Sequence, residues 1–145
     1  MKTITQLSVF LENKPGQLAA MTRFLAGKQV NLRALSLSET SEFGIVRLIV
    51  DAPESVAGLL SGEGYVCTTT QVLAARLEDV PGSLAAVLEA LSGAGINLEY
   101  SYAFTSPVGG VAYNVLRVQD NAAAIRVLSE KGVPLLSQEE LIHAN

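Results

Sequence analysis

The chain has 145 residues, the length of one ordinary domain or of two small ones. Apolar residues make up 49% of it and charged residues 17%, so it can bury a core and is too apolar to be disordered. The net charge of −4, the single cysteine and the absence of an apolar run near ~20 residues argue against nucleic acid, a disulfide and a membrane span, so we expect a cytoplasmic protein.

The first half of the chain predicts six elements, four strands and two helices. The opening segment "TITQLSVFLE" (3–12) alternates and is rich in β-branched residues, which favours a strand. Pro15 is predicted to open a helix at its first turn, and apolar residues then recur at helical spacing. Gly27 fits the left-handed residue that ends a helix. The remaining predicted elements are strands at 30–39 and 45–51, a helix at 53–62 that begins at Pro53, and a strand at 65–71.

The second half repeats the first. "PGQLAAMTRFLAGKQVNL" (15–32) aligns without gaps on "PGSLAAVLEALSGAGINL" (81–98), 66 positions later, so Gly93 should end the second copy's helix. Each copy reads β-α-β-β-α-β, which predicts an α+β fold of two ferredoxin-like domains with antiparallel sheets, side by side. The segment between the two copies (65–79) contains no Pro, no Gly and no charge run that would mark a linker. We predict domains at 1–71 and 72–136, then a short helix and tail at 137–145 with Ser137 as the N-cap.

Both copies place Pro-Gly between a strand and a helix, in "ENKPGQL" (12–18) and "EDVPGSL" (78–84). A helix start offers unpaired N–H groups and a positive dipole end, where a carboxylate fits, and glycine lets a ligand approach. Asn13 and Asp79 add acceptors for an ammonium. This combination suits a free amino acid. The same residues also suit an ordinary strand-to-helix turn, and both interpretations stay open at this point.

With these loops and the paired Asn31 and Asn97, the sequence resembles a tandem ACT-domain protein, in a family with the small regulatory subunit of acetolactate synthase. The resemblance implies that a small amino acid binds between two ACT units, against the β1–α1 loop of one and the start of β2 of the other. The residues it implicates are Asn13, Pro15, Gly16, Gln17, Leu18, Asn31 and Leu32 in copy one, and Asp79, Pro81, Gly82, Ser83, Leu84, Asn97 and Leu98 in copy two.

The resemblance implies a non-catalytic regulatory protein that binds a small free amino acid and modulates a partner enzyme of amino-acid metabolism. The alternative is a structural module that dimerises or holds a partner without a ligand. No nucleophile–base set or cofactor motif is present, so we expect neither catalysis nor a cofactor or metal. The single histidine, His143, is predicted to be a solvated tail residue, and Cys67 a buried, inert thiol.

The predicted third strand is apolar on both faces. Ile45 and Ile49 lie on one face, and Val46, Leu48 and Val50 on the other. A sheet with helices on one side needs only one apolar face, so the sequence predicts at least a homodimer that buries the second.

Overall fold

The computed structural model describes residues 1–39, 42–104 and 109–143, and its elements follow the predicted β-α-β-β-α-β order, except that a single bridge replaces the last strand of the second half. A single strand, β4 (Val66–Glu78), is the last strand of the first half and the first strand of the second, so no linker interrupts the chain there. Within those ranges no helix is both long and apolar enough to cross a membrane. The elements are β1 (Ile4–Glu12), α1 (Gln17–Gly27), β2 (Ala34–Glu39), β3 (Phe43–Ile49), α2 (Pro53–Gly62), β4 (Val66–Glu78), α3 (Ser83–Gly93), β5 (Leu98–Phe104), β6 (Val111–Val118), α4 (Asn121–Glu130) and α5 (Gln138–Ile142).

The chain forms two compact units. One is Thr5–Thr70, and the other is Gln71–Asn145 together with Met1–Ile4. The amino-terminal residues are held in the second unit by polar contacts: Thr3 Oγ1 donates to Gln71 at 2.9 Å, and Lys2 Nζ lies 2.8 Å from Glu140. Each unit has its own hydrophobic core, as expected for a duplicated α+β fold of two ferredoxin-like domains.

In the first unit, β3 pairs antiparallel with both β1 and β2. Leu7 lies opposite Leu48 and Val9 opposite Val46, so alternate residues of the strands share one face. The buried residues of α1 and α2 pack onto that face, and each large apolar side chain buried there contributes about 1.5–3 kcal/mol. The core of this unit consists of Leu7, Val9, Leu11, Met21, Leu25, Val46, Leu48, Val50, Val56 and Leu60.

The second unit repeats this arrangement with a shorter last strand. β6 pairs antiparallel with β4 and β5, and α3 and α4 supply the helical side of the core. In place of a full last strand, a single bridge joins Ala75 and Leu135, flanked by hydrogen bonds from Arg76 N to Pro134 O and from Leu136 N to Ala74 O, both 2.9 Å. The predicted cap at Ser137 is confirmed, since its side chain and that of Glu140 form a capping box on α5. Residues 144–145 of the predicted tail lie outside the described ranges.

The prediction that Pro15 opens the first helix is wrong. The helix begins at Gln17 after Gly16 as the N-cap, and the equivalent helix of copy two begins at Ser83 after Gly82. The prolines instead occupy the turn before the helix, where a fixed φ is equally useful.

The helix ends also differ from prediction, because Gly27 and Gly93 are the last helical residues rather than the left-handed ones. The left-handed residues are Gln29, with φ 60°, and Gly95, with φ 74°. Val30 N donates to Leu25 O at 3.0 Å and Gln29 N to Ala26 O at 3.1 Å, the two bonds of a Schellman motif. These bonds place the turn of the chain two residues later than the glycine.

The second strand also begins later than predicted, at Ala34 rather than Val30. The N–H of Val30 is used to close α1, and pairing with β3 starts when Arg33 N donates to Ile49 O at 2.8 Å. Asn31 and Leu32 therefore lie in the connection before β2, not in the strand.

Candidate functional site

The Pro-Gly loop of the first unit is a tight turn. Gln17 N donates to Lys14 O at 3.4 Å, and Gly16 has φ 88° and ψ −12°, the values of the third residue of a type II turn. That position has a positive φ, which glycine adopts at no steric cost, and Pro15 precedes it as the preferred second residue. The requirements of the turn therefore account for both Pro15 and Gly16.

The second unit builds the same loop. Ser83 N donates to Val80 O at 3.3 Å, and Gly82 has φ 93° and ψ −13°. Asn13 N and Asp79 N each donate to the opposite strand connection, to Glu42 O at 3.0 Å and Gly110 O at 2.9 Å. The two halves of the chain thus present the same backbone at the start of a helix.

Both loop glycines are open to approach. A β-carbon placed on Gly16 or Gly82 would meet no atom of the described chain within 4 Å. Asn13 and Asp79 are exposed, while Gln17 and Ser83 are half-buried and Leu18 is half-buried against the core. An anion can therefore reach the first N–H groups of α1 and α3, where the helix dipole favours negative charge.

The structure does not bring Asn31 to the loop of its own unit. Asn31 follows the end of α1 and Gly16 precedes its beginning, and an α-helix rises 1.5 Å per residue, which puts the two ends about 16 Å apart. The same holds for Asn97 and Gly82 across α3. A ligand that contacts a Pro-Gly loop and one of these asparagines therefore needs residues from more than one unit. Half-buried Leu32 and Leu98 pack against their own cores.

An ion pair lies beside each of these connections, and its polarity is reversed between the copies. In the first unit Arg33 Nε lies 2.8 Å from Asp51 Oδ1, and Nη2 lies 3.2 Å from Oδ2. In the second unit Arg117 Nε lies 3.5 Å from Glu99 Oε2. Glu99 is 66 positions after Arg33, and Arg117 is 66 positions after Asp51.

Sequence reasoning missed these pairs, although the repeat contained the signal. The 66-residue offset places an acidic and a basic residue at matching positions with exchanged charges, which is the mark of a pair in contact. In the folded chain the Arg33 side chain is only 10% exposed, so its charge is largely withdrawn from water and depends on Asp51.

A cavity of about 1020 Å³ lies in the second unit, beside α3. We call it the α3 groove. It shares Ser83 with the predicted ligand-binding residues, and nothing in the sequence pattern indicated it. Its lining combines apolar side chains with two basic and two acidic ones. The lining residues are Arg76, Leu77, Glu78, Val80, Ser83, Ala86, Val87, Glu89, Ala90, Gly110, Val111, Lys131, Gly132, Val133 and Pro134.

The structure places His143 and Cys67 outside the two Pro-Gly loops. His143 is exposed at the end of α5. Cys67 is half-buried in β4, and burial raises the pKa of the Cys67 thiol, which lowers its reactivity as a nucleophile at neutral pH.

Comparisons with known proteins agree with the duplicated fold. The family model of the ACT domain pair matches residues 2–144. A protein of known crystal structure from Bacteroides thetaiotaomicron is 39% identical with a TM-score of 0.89, and the match covers 97% of this chain and 96% of that one. No curated protein matches the sequence.

Two more distant structures share the fold. The ligand-free regulatory subunit of aspartate kinase from Thermus thermophilus is 15% identical with a TM-score of 0.64, over 90% of this chain and 93% of that one. Aspartate kinase from Synechocystis is 18% identical with a TM-score of 0.58, over 94% of this chain but only 27% of that enzyme.

Proposed function

Because the chain belongs to the ACT domain pair family, we propose that it is a non-catalytic regulatory protein that binds a small free amino acid at its Pro-Gly loops. The observation that carries this proposal is the pair of open glycines, Gly16 and Gly82, each at the start of a helix. A ligand carboxylate meets the helix N–H groups, and the ammonium meets Asn13 in copy one or Asp79 in copy two.

The proposed site takes its second wall from another unit. Asn31 or Asn97 supplies a side-chain amide there, since neither asparagine can reach the loop of its own unit. The full proposed set of residues is the one implied by the family resemblance: Asn13, Pro15, Gly16, Gln17, Leu18, Asn31 and Leu32, with Asp79, Pro81, Gly82, Ser83, Leu84, Asn97 and Leu98. A ligand that bridges two units stabilises their assembly by mass action, by about 2.7 kcal/mol at a hundredfold excess over its Kd.

We further propose that the regulated partner is an enzyme of amino-acid metabolism. The aspartate kinase of Synechocystis contains a region with this fold within a much longer chain, and the Thermus thermophilus protein is a regulatory subunit of the same enzyme. These likenesses supply a precedent for such pairs both within an enzyme and as a separate subunit.

A homodimer remains part of the proposal, but for a narrower reason than the sequence suggested. Ile49 is fully buried within this one chain, so its burial needs no second copy. The remaining apolar surface on that face is formed by Phe10, 41% exposed, its cross-strand neighbour Ile45, and Phe43, 53% exposed. Light scattering at micromolar concentration that gives a mass near 15.3 kDa would contradict the dimer.

A structural module without a ligand is the second candidate. It is favoured by one observation: the type II turn alone accounts for Pro15 and Gly16. In this case the loops are connections only, and the protein acts by holding a partner.

A thermal-shift screen against the twenty amino acids, followed by calorimetry, separates the two candidates. A regulatory site predicts a rise in melting temperature with at least one amino acid. Asn13→Ala should weaken binding of that amino acid by about 1–3 kcal/mol, because the ammonium loses an acceptor. Asp79→Ala should weaken it less if copy one is the better site.

Glycine variants are a poor probe of this site. Any side chain at Gly16 is strained by the positive φ, by about 1–2 kcal/mol, whether or not a ligand binds. Gly16→Ala therefore serves as a control for stability. Absence of a melting shift with all twenty amino acids, or unchanged affinity in Asn13→Ala and Asp79→Ala, would favour the structural module.

A further inference from the structure

The α3 groove occupies a place that a pair of aromatic side chains fills in the first unit. Phe24 of α1 and Ala90 of α3 are 66 positions apart at the same point of equivalent helices. In the first unit Phe24 faces Tyr65, with ring centroids 6.3 Å apart, and both rings pack against the core.

The position of Tyr65 in the first unit corresponds to that of Val133 in the second. Tyr65 and Val133 each follow a left-handed glycine, Gly64 or Gly132. Each also donates its backbone N–H to the preceding helix, to Leu60 O and Leu128 O respectively, both at 3.0 Å. The second unit thus replaces Phe24 and Tyr65 with Ala90 and Val133, and removal of two rings from one place leaves a space of ring size over an apolar floor.

Charged residues of both signs line this groove. Lys131 follows α4 and Glu89 lies on α3, whereas Arg76 and Glu78 alternate with the buried Leu77 on β4, so their side chains point to the other face of the sheet. Among the described residues, no ion pair joins any of these four side chains to another residue. The groove therefore offers an apolar surface for a ring and charged groups for a small ionic substituent, the mixture typical of ligand sites.

We propose that the α3 groove binds a small aromatic carboxylate, with its ring in the space that Phe24 and Tyr65 fill in the first unit. The carboxylate pairs with Lys131. The ring is buried against Val87 and Leu77, where apolar contact is favourable. A cation near the ring adds to this attraction, as Lys28 Nζ does in the first unit at 5.9 Å from the centroid of Phe24.

One end of this groove adjoins the Pro-Gly loop of copy two, with which it shares Ser83. The proposed ring position at Ala90 is eight residues further along α3 than Gly82, or about 12 Å, so it is distinct from the proposed amino-acid site. The carboxylate is the group that the proposal requires.

Calorimetry on the full chain tests the proposal, with 3-phenylpropanoate as the probe and phenethylamine as the analogue that lacks a carboxylate. We expect 3-phenylpropanoate to bind more tightly than phenethylamine. The double variant Ala90→Phe/Val133→Tyr copies the first unit and refills the groove, so the Kd for 3-phenylpropanoate should rise by more than about tenfold. Lys131→Ala should raise the Kd by a smaller factor.

A matched control separates this site from others. Ala85→Phe adds the same ring to an exposed position of α3 outside the groove and should leave the Kd unchanged. If the double variant fails to fold, judged by its melting curve, Ala90→Leu narrows the groove with less added volume and should still raise the Kd.

Three results would overturn the proposal. The first is no detectable binding of 3-phenylpropanoate by the unmodified chain at millimolar concentration. The second is equal binding of phenethylamine. The third is binding that survives the refilled groove.

Discussion

Replacement of Gln29 by glycine should stabilise this protein. Gln29 is the only non-glycine residue with positive φ in the described parts of the chain, and it holds the left-handed position that closes α1. The equivalent position after α3 is Gly95, with φ 74°. The Gln29 side chain is exposed, so its removal costs little packing.

The expected magnitude is a difference of two terms. A left-handed backbone costs a residue with a β-carbon about 1–2 kcal/mol, and glycine avoids this cost. Glycine also gives the unfolded chain more freedom, which returns about 0.4–1 kcal/mol. The net gain for Gln29→Gly is therefore about 0.5–1 kcal/mol, or roughly 2 °C in Tm.

Urea unfolding at constant m value measures this change, and two variants test the reasoning. Gly95→Gln should destabilise the chain by a similar amount, since it imposes on the second unit the strain now present in the first. Gly27→Ala should stabilise it by about 0.5 kcal/mol, because Gly27 is helical and alanine favours a helix. A destabilised Gly27→Ala together with an unchanged Gly95→Gln would refute this assignment of the left-handed residue.

Three further predictions concern contacts of single units. Arg33→Glu should lower the free energy of unfolding by about 1 kcal/mol or more, and Arg33→Glu/Asp51→Arg, which copies the polarity of the second unit, should restore most of it in a double-mutant cycle. Ser137→Ala should cost about 1 kcal/mol through loss of the capping box, measured by urea unfolding. The hydrogen bond from Lys2 lowers the pKa of Glu140. The contribution of this contact to stability is therefore present above the ordinary pKa of Glu and is lost as the pH falls through the pKa of Glu140 in the folded chain. An NMR titration should find a higher Glu140 pKa in Lys2→Ala, and an unchanged pKa would contradict this contact.

Some features of the candidate site follow from a local sequence pattern, and others do not. The Pro-Gly repeat by itself predicts a strand-to-helix loop with a required glycine, and the positive φ of Gly16 and Gly82 agrees with that requirement. The identity of the ligand-binding residues stays a prediction, because a turn and an anion site use the same residues. The reversed ion pairs and the α3 groove were not predicted, since each depends on residues that are far apart in sequence.

The sequence by itself determined the duplicated β-α-β-β-α-β order, the first residue of α2 at Pro53 and the cap at Ser137, because these features follow from hydrophobic periodicity and from side chains that bond to their own neighbours. Only the tertiary structure decided that Gln29 rather than Gly27 adopts the left-handed conformation. A glycine is free to end a helix but is not obliged to do so. The helix ends where the backbone N–H of Val30 meets Leu25 O and half-buried Val30 joins the core, and that choice is made by packing across the unit.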